Sequence, residues 1–173
     1  MSAHTVALSI HVACGSAGLV LGPVAMLSGK RRGTHTRSGE AYHWVFLMLF
    51  FSAVALAVLN WDEVWWLAFV GAVSYGLALL GYVAAKRRWK GWLRAHVTGQ
   101  GGSYIAMVTA LVVVNTGSGS PLPWIMPAVI GSAAIRWLSR QIALGKRPKR
   151  RQPPLSATGT KPLTQSGTGP TAR

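Results

Sequence analysis

The sequence predicts an all-α fold, a polytopic transmembrane helix bundle of about five spans with its N-terminus out and its C-terminus in. Three observations carry that prediction. Half of the 173 residues are apolar and only 12% are charged, a balance foreign to soluble globules. The apolar residues gather into runs near 6–27, 41–60, 64–85, 95–114 and 122–138, and about 20 such residues cross ~30 Å of hydrocarbon at ~1.5 Å each. The eighteen Lys and Arg residues fall in three groups, at 30–37, 86–94 and 136–173, and threading five spans puts every group on one face. Short loops rich in Lys and Arg stay in the cytoplasm. The formal net charge of +15, divided into three groups with apolar runs between them, is therefore a topology signal and not a nucleic-acid-binding stripe.

The first run, 6–27, follows MSAHT, which has no cation, and precedes Lys30, Arg31 and Arg32. A cleavable secretory signal has the reverse order, so the run is expected to be a retained helix. Gly18 and Gly22 share one face and let another helix approach closely, while Pro23 is expected to kink or end the helix. Cys14, the single cysteine, excludes an internal disulfide. The second run, 41–60, is apolar all round and suits lipid contact. Asn60 to Glu63 makes a tight outer turn, and Trp61, Trp65 and Trp66 suit the headgroup layer. In the third run, Gly71, Tyr75, Ala78 and Tyr82 recur on one helical face, where two phenols need partners. Trp89 and Trp92 accompany the second basic group at interface depth. The fourth run opens on the polar stretch HVTGQGGSY. The fifth, with Pro123, Pro127 and Arg136, is the shortest. Residues 146–173 form a basic tail rich in Pro, Gly, Ser and Thr, expected to be disordered and cytoplasmic.

Site chemistry rests on the histidines, since only three acids accompany five imidazoles. Counting along the spans puts His11 roughly 8 Å to the outer side of the midplane, and His43 and His96 roughly 11 to 14 Å to the inner side. His35 lies in the loop beneath them. His96, Gln100, Ser103 and Met107 form one polar stripe, which inside lipid must face protein or water. Three readings stay open. His43 and His96 are axial ligands of a haem b and the protein passes electrons. Alternatively, His35, His43 and His96 bind a divalent metal such as zinc. In the third, they satisfy helix ends and headgroups only. His11 is a weaker candidate, forming an H-x-x-C pair with Cys14 that could take copper or iron. Arg94 and Arg37, near inner helix starts, could hold a haem propionate or a lipid phosphate.

These residues resemble a known set. His11 with Gly15 and Gly22-Pro23, His35-x-Arg37-x-Gly39-x-x-Tyr42, and Arg94-Ala95-His96 leading to Ser103-Tyr104-Ile105-Ala106 are similar to a family of predicted bacterial membrane proteins. It is catalogued as the domain of unknown function number twenty-three-oh-six. Thr36 stands where the family often has Arg directly after His, and Gln100 where it often has Met. The resemblance implies a multi-span bundle with histidines in these places, and no reaction.

The sequence thus leads to a multi-pass protein of the bacterial inner membrane with a histidine-lined haem or metal site near the cytoplasmic face. Its expected partners are the lipid bilayer, anionic headgroups and a redox or protein partner, with no nucleic acid. The alternative is a non-catalytic membrane anchor or partner subunit, or a small transporter. Neither an H-E-x-x-H motif nor a paired carboxylate argues for an enzyme, and no substrate can be named.

Overall fold

The computed structural model describes residues 2–29, 33–117 and 119–144, which form five α-helices and, among these residues, no strand. They are α1 (Ala3–Leu27), α2 (Thr34–Leu59), α3 (Trp61–Arg87), α4 (Trp92–Thr116) and α5 (Leu122–Ala143). Each of the first four is long and apolar enough to cross a membrane. The fifth is a full helix, but Ser132, Arg136, Ser139, Arg140 and Gln141 dilute its apolar character. The basic tail expected at 146–173 and the loop residues 30–32 lie outside the described residues.

The helices outrun the apolar runs that announced them. A hydropathy count stops at the first polar residue, whereas backbone hydrogen bonds continue wherever the next N–H finds a carbonyl one turn back. The difference matters most for α2, which begins at Thr34. His35 is therefore in a helical first turn and not in a joining loop. Ser2 starts α1 by accepting from the Thr5 amide at 3.2 Å, and the helix runs through Pro23 to Leu27, one turn past the expected break. Asn60 closes α2 through its side-chain amide on the Leu56 carbonyl at 3.0 Å. Asp62 and Glu63 occupy the first turn of α3 and Lys86 and Arg87 its last, both placements favoured by the helix dipole. Arg88, at φ 50°, turns the chain out of α3, and Gly91, at φ 83°, turns it into α4.

Consecutive helices pack in pairs, α1 on α2, α2 on α3, α3 on α4, and α1 also meets α4, closing a four-helix ring. The diagonal helices α2 and α4 have no backbone contact, and α5 lies outside the ring against α4. Large side chains such as Phe69, Val58 and Phe51 point outward, with 70%, 61% and 57% of their surface exposed. That arrangement suits lipid and would be an aggregation hazard in water. Small residues are buried where helices meet: Gly18, Gly22, Ala57, Ala78, Gly81, Ala84, Gly99 and Ser103. With no hydrophobic drive between helices in lipid, close backbone approach replaces it.

The tightest approach joins α3 to α4. A Cβ added at Gly99 would stand 2.5 Å from the Leu77 carbonyl and 2.6 Å from the Gly81 nitrogen, and one at Gly81 would stand 2.8 Å from the Gln100 nitrogen. These neighbours are backbone and cannot swing away. Gly99→Ala is therefore expected to cost about 1–3 kcal/mol, read as a lower unfolding midpoint in detergent. Gly39→Ala, where an added Cβ meets nothing within 4 Å, should leave the midpoint unchanged or raise it.

Candidate functional site

The close contact of α3 with α4 brings polar side chains of α4 onto backbone carbonyls of α3. Gln100 donates its Nε2 to the Ala78 carbonyl at 3.0 Å. His96 lies 2.9 Å from the Gly81 carbonyl through Nδ1. A carbonyl can only accept, so Nδ1 carries the proton and Nε2 is the basic nitrogen of that ring. His35 makes the matching contact on the other side of the bundle, with Nδ1 on the Ala25 carbonyl at 2.6 Å. That carbonyl belongs to the last turn of α1, which has no intrahelical donor left for it. The same tautomer follows.

The two rings meet at the end of the bundle where α2 and α4 begin. Their centroids are 6.2 Å apart and their planes are inclined by 78°. Trp92, one turn before His96 on α4, lies at 6.4 Å from the His96 ring. The pair thus connects the α1–α2 hairpin to the α3–α4 hairpin at one mouth of the ring.

His43 goes elsewhere. It lies between α2 and α3, stacked on the Tyr82 ring at 3.9 Å and 9°, with Tyr75 at 6.0 Å on the same side of the bundle. Only 5% of it is exposed, and its Nδ1 has no hydrogen-bond partner among the described residues. Glu40, one turn earlier, accepts from Tyr82 at 3.1 Å and from Lys86 at 3.0 Å on one carboxylate oxygen. Lys86 also stands 5.2 Å over the Tyr82 ring. Glu40 and Lys86 are about half exposed, at 42% and 52%, so this ion pair contributes modestly to stability. It does hold Tyr82 against the His43 face.

The polar stripe of α4 faces the interior. Ser103 is fully buried and gives its proton to the Gln100 carbonyl at 2.9 Å. It therefore accepts from the Tyr42 hydroxyl at 3.1 Å, a bond across the diagonal from α2 to α4. Met107 fills the space beside Gly18, and Tyr104 lies against Gly22 while donating to the Leu19 carbonyl at 3.3 Å. Tyr42, Phe46, Leu49, Ala78 and Met107 make the core cluster, so the middle of the ring is filled.

His35 and His96 come together, and His43 stacks on Tyr82. No set of three His, Cys, Asp or Glu able to hold a metal exists among the described residues, so His35, His43 and His96 do not form a three-imidazole metal site. The reason is the ring itself, which puts α2 and α4 on a diagonal and turns His43 toward α3. His11 lies 3.1 Å from Ser52 through Nδ1. Ser52 already donates to the Leu49 carbonyl at 2.9 Å, so the imidazole is the donor. Cys14 packs against the core cluster as a small apolar residue.

Glu40, Tyr42, Tyr82 and Lys86 were not among the expected site residues. Glu40 had a signal, since it is the one acid among the basic groups. The Tyr42 to Ser103 bond had none, because 61 residues separate the partners. No protein-family profile, curated protein or solved structure matches the chain.

The diagonal bond can be weighed. A double-mutant cycle on Tyr42→Phe and Ser103→Ala is expected to give a coupling of about 0.6 kcal/mol, and at most about 1.7, by reversible unfolding in mixed micelles. Zero coupling would mean that the hydroxyls do not meet.

Proposed function

We propose that the chain crosses the bacterial inner membrane five times, N-terminus out and C-terminus in, and holds a redox metal centre between His35 and His96 near the cytoplasmic face. The single observation that carries the second half is the geometry of that imidazole pair. With centroids 6.2 Å apart, His35 and His96 are close enough that both imidazoles could hold one metal ion, which would supply one-electron chemistry there. Anchoring Nδ1 on a backbone carbonyl is also how proteins orient a ligating histidine.

A bis-imidazole haem supplies one-electron transfer. The chain's own residues would do the rest. Ala25 and Gly81 fix the two rings through their carbonyls, and Trp92 covers His96 on the side toward the headgroups. The filled middle of the ring leaves its mouth, beside the first turn of α2, as the place for a cofactor. That placement favours exchange of electrons with a partner at the membrane surface. The resemblance to the domain-of-unknown-function family stands beside this reading and supplies no chemistry for it.

The second reading is a non-catalytic anchor or partner subunit, and the closed packing around Met107 and Tyr104 favours it. In that case His35 and His96 only tie the two hairpins together.

One preparation separates the two. The protein purified in mild detergent is expected to show a Soret band that shifts with dithionite, and stoichiometric iron. His35→Ala and His96→Ala should each abolish the band, while His43→Ala should keep it. A colourless, metal-free preparation would leave the anchor reading. For topology, a reporter fused after Arg173 is expected to be active on the cytoplasmic side.

A further inference from the structure

Three arginines line one groove between α4 and α5, at the end of the bundle where α4 begins. Arg94 and Thr98 are one turn apart on α4, and Arg136, Ser139 and Arg140 face them from α5, with Ile135 at the floor. The groove has a volume of about 310 Å³. Arg136 and Arg140 are four apart on one helix, a spacing at which like charges repel. None of the three is paired with a carboxylate among the described residues.

The chain has no acid to offer them. Of its three acidic residues, Glu40 is held by Lys86, and Asp62 and Glu63 are in the first turn of α3. That turn is a whole helix away, about 40 Å for a helix of this length. The counter-charge must come from outside the protein. Three guanidiniums and two hydroxyls in one open groove recognise the tetrahedral oxygens of a phosphate, which Arg binds through its planar fork.

A second groove continues from the first and shares Arg136. It is an open, shallow strip along one face of α5, past Ser132, Val129, Ala128 and Ile125, with a volume of about 520 Å³ and mainly apolar. A basic cup continuing into an apolar strip has the polarity of a phospholipid, with headgroup and acyl chain in sequence. A free phosphate would have no use for the apolar strip. We infer that α4 and α5 form a specific site for one anionic phospholipid, its phosphate on Arg94, Arg136 and Arg140 and an acyl chain along α5. Basic pockets between helices on the cytoplasmic side bind anionic headgroups in this way. The lipid would also cover α5, which lies outside the four-helix ring, packs along α4 and meets α3 through Trp124 beside Trp66. The site is independent of any cofactor at His35 and His96.

The test is native mass spectrometry on the full chain, delipidated in detergent and titrated with dioleoylphosphatidylglycerol or dioleoylphosphatidylcholine. One tightly held phosphatidylglycerol is expected, with phosphatidylcholine weaker. The double variant Arg136→Gln with Arg140→Gln should lose roughly tenfold or more in that first affinity. Changing Lys146, Arg147, Lys149, Arg150 and Arg151 together to Gln should change it less than twofold. Ser132→Trp, which blocks the apolar strip without touching charge, should weaken phosphatidylglycerol as well. Circular dichroism and gel filtration establish that each variant is folded. The proposal is overturned if the arginine variant binds as the wild type does, or if the tail variant alone loses the lipid. It is equally overturned if millimolar inorganic phosphate displaces the lipid, which would make the groove a free-phosphate site.

Discussion

The backbone-to-backbone contact of Gly81 with Gly99 is the constraint on which the rest of the bundle depends. A membrane bundle cannot use the hydrophobic effect to hold helices together, because the surrounding lipid is as apolar as any side chain. What remains is dispersion at close range and hydrogen bonding, and both need the helices to touch. With no side chain on either residue, α3 and α4 come near enough for His96 and Gln100 to reach the carbonyls of Gly81 and Ala78. Ser103 and Met107, further along the same face, are then turned into the ring.

The same contact decides what the histidines can do. Holding His96 to α3 aims its ring at the mouth of the bundle, where His35 is held to α1 in the same tautomer. Two hairpins thereby present one imidazole each. His43 is stacked on Tyr82 between α2 and α3. A buried imidazole with an unpartnered nitrogen beside a Glu40, Tyr82 and Lys86 network is a second polar locus, distinct from the pair. Intramembrane ionisable groups are costly and are kept for a reason.

The charge distribution gives the two ends of the molecule different surfaces. The end where α3 begins has the carboxylates Asp62 and Glu63 and the indoles Trp61, Trp65 and Trp66, with the Trp124 ring of α5 5.7 Å from Trp66 and tilted by 51°. The end where α2 and α4 begin has Lys86, Arg87, Arg88, Lys90 and Arg94, and Arg136 and Arg140 of α5 join it. Glu40 alone offsets them there. Apart from Lys86 on Glu40, the positive charges at that end have no carboxylate partner among the described residues.

The amino-acid sequence alone determined the helical class, the four long apolar helices and the helix joints, because hydropathy and punctuation by charged and tryptophan residues are local properties of a chain. It also determined that the stripe from His96 to Met107 faces inward, since a polar stripe has nowhere else to go in lipid. It did not determine the helix ends, and so left His35 in a loop when it belongs to the first turn of α2. Only the tertiary structure decided which imidazoles meet. That choice depends on the order of helices around the ring and on the rotation of each about its axis, and both are set by where glycines let two backbones touch, a relation between residues as far apart as Gly22 and Tyr104.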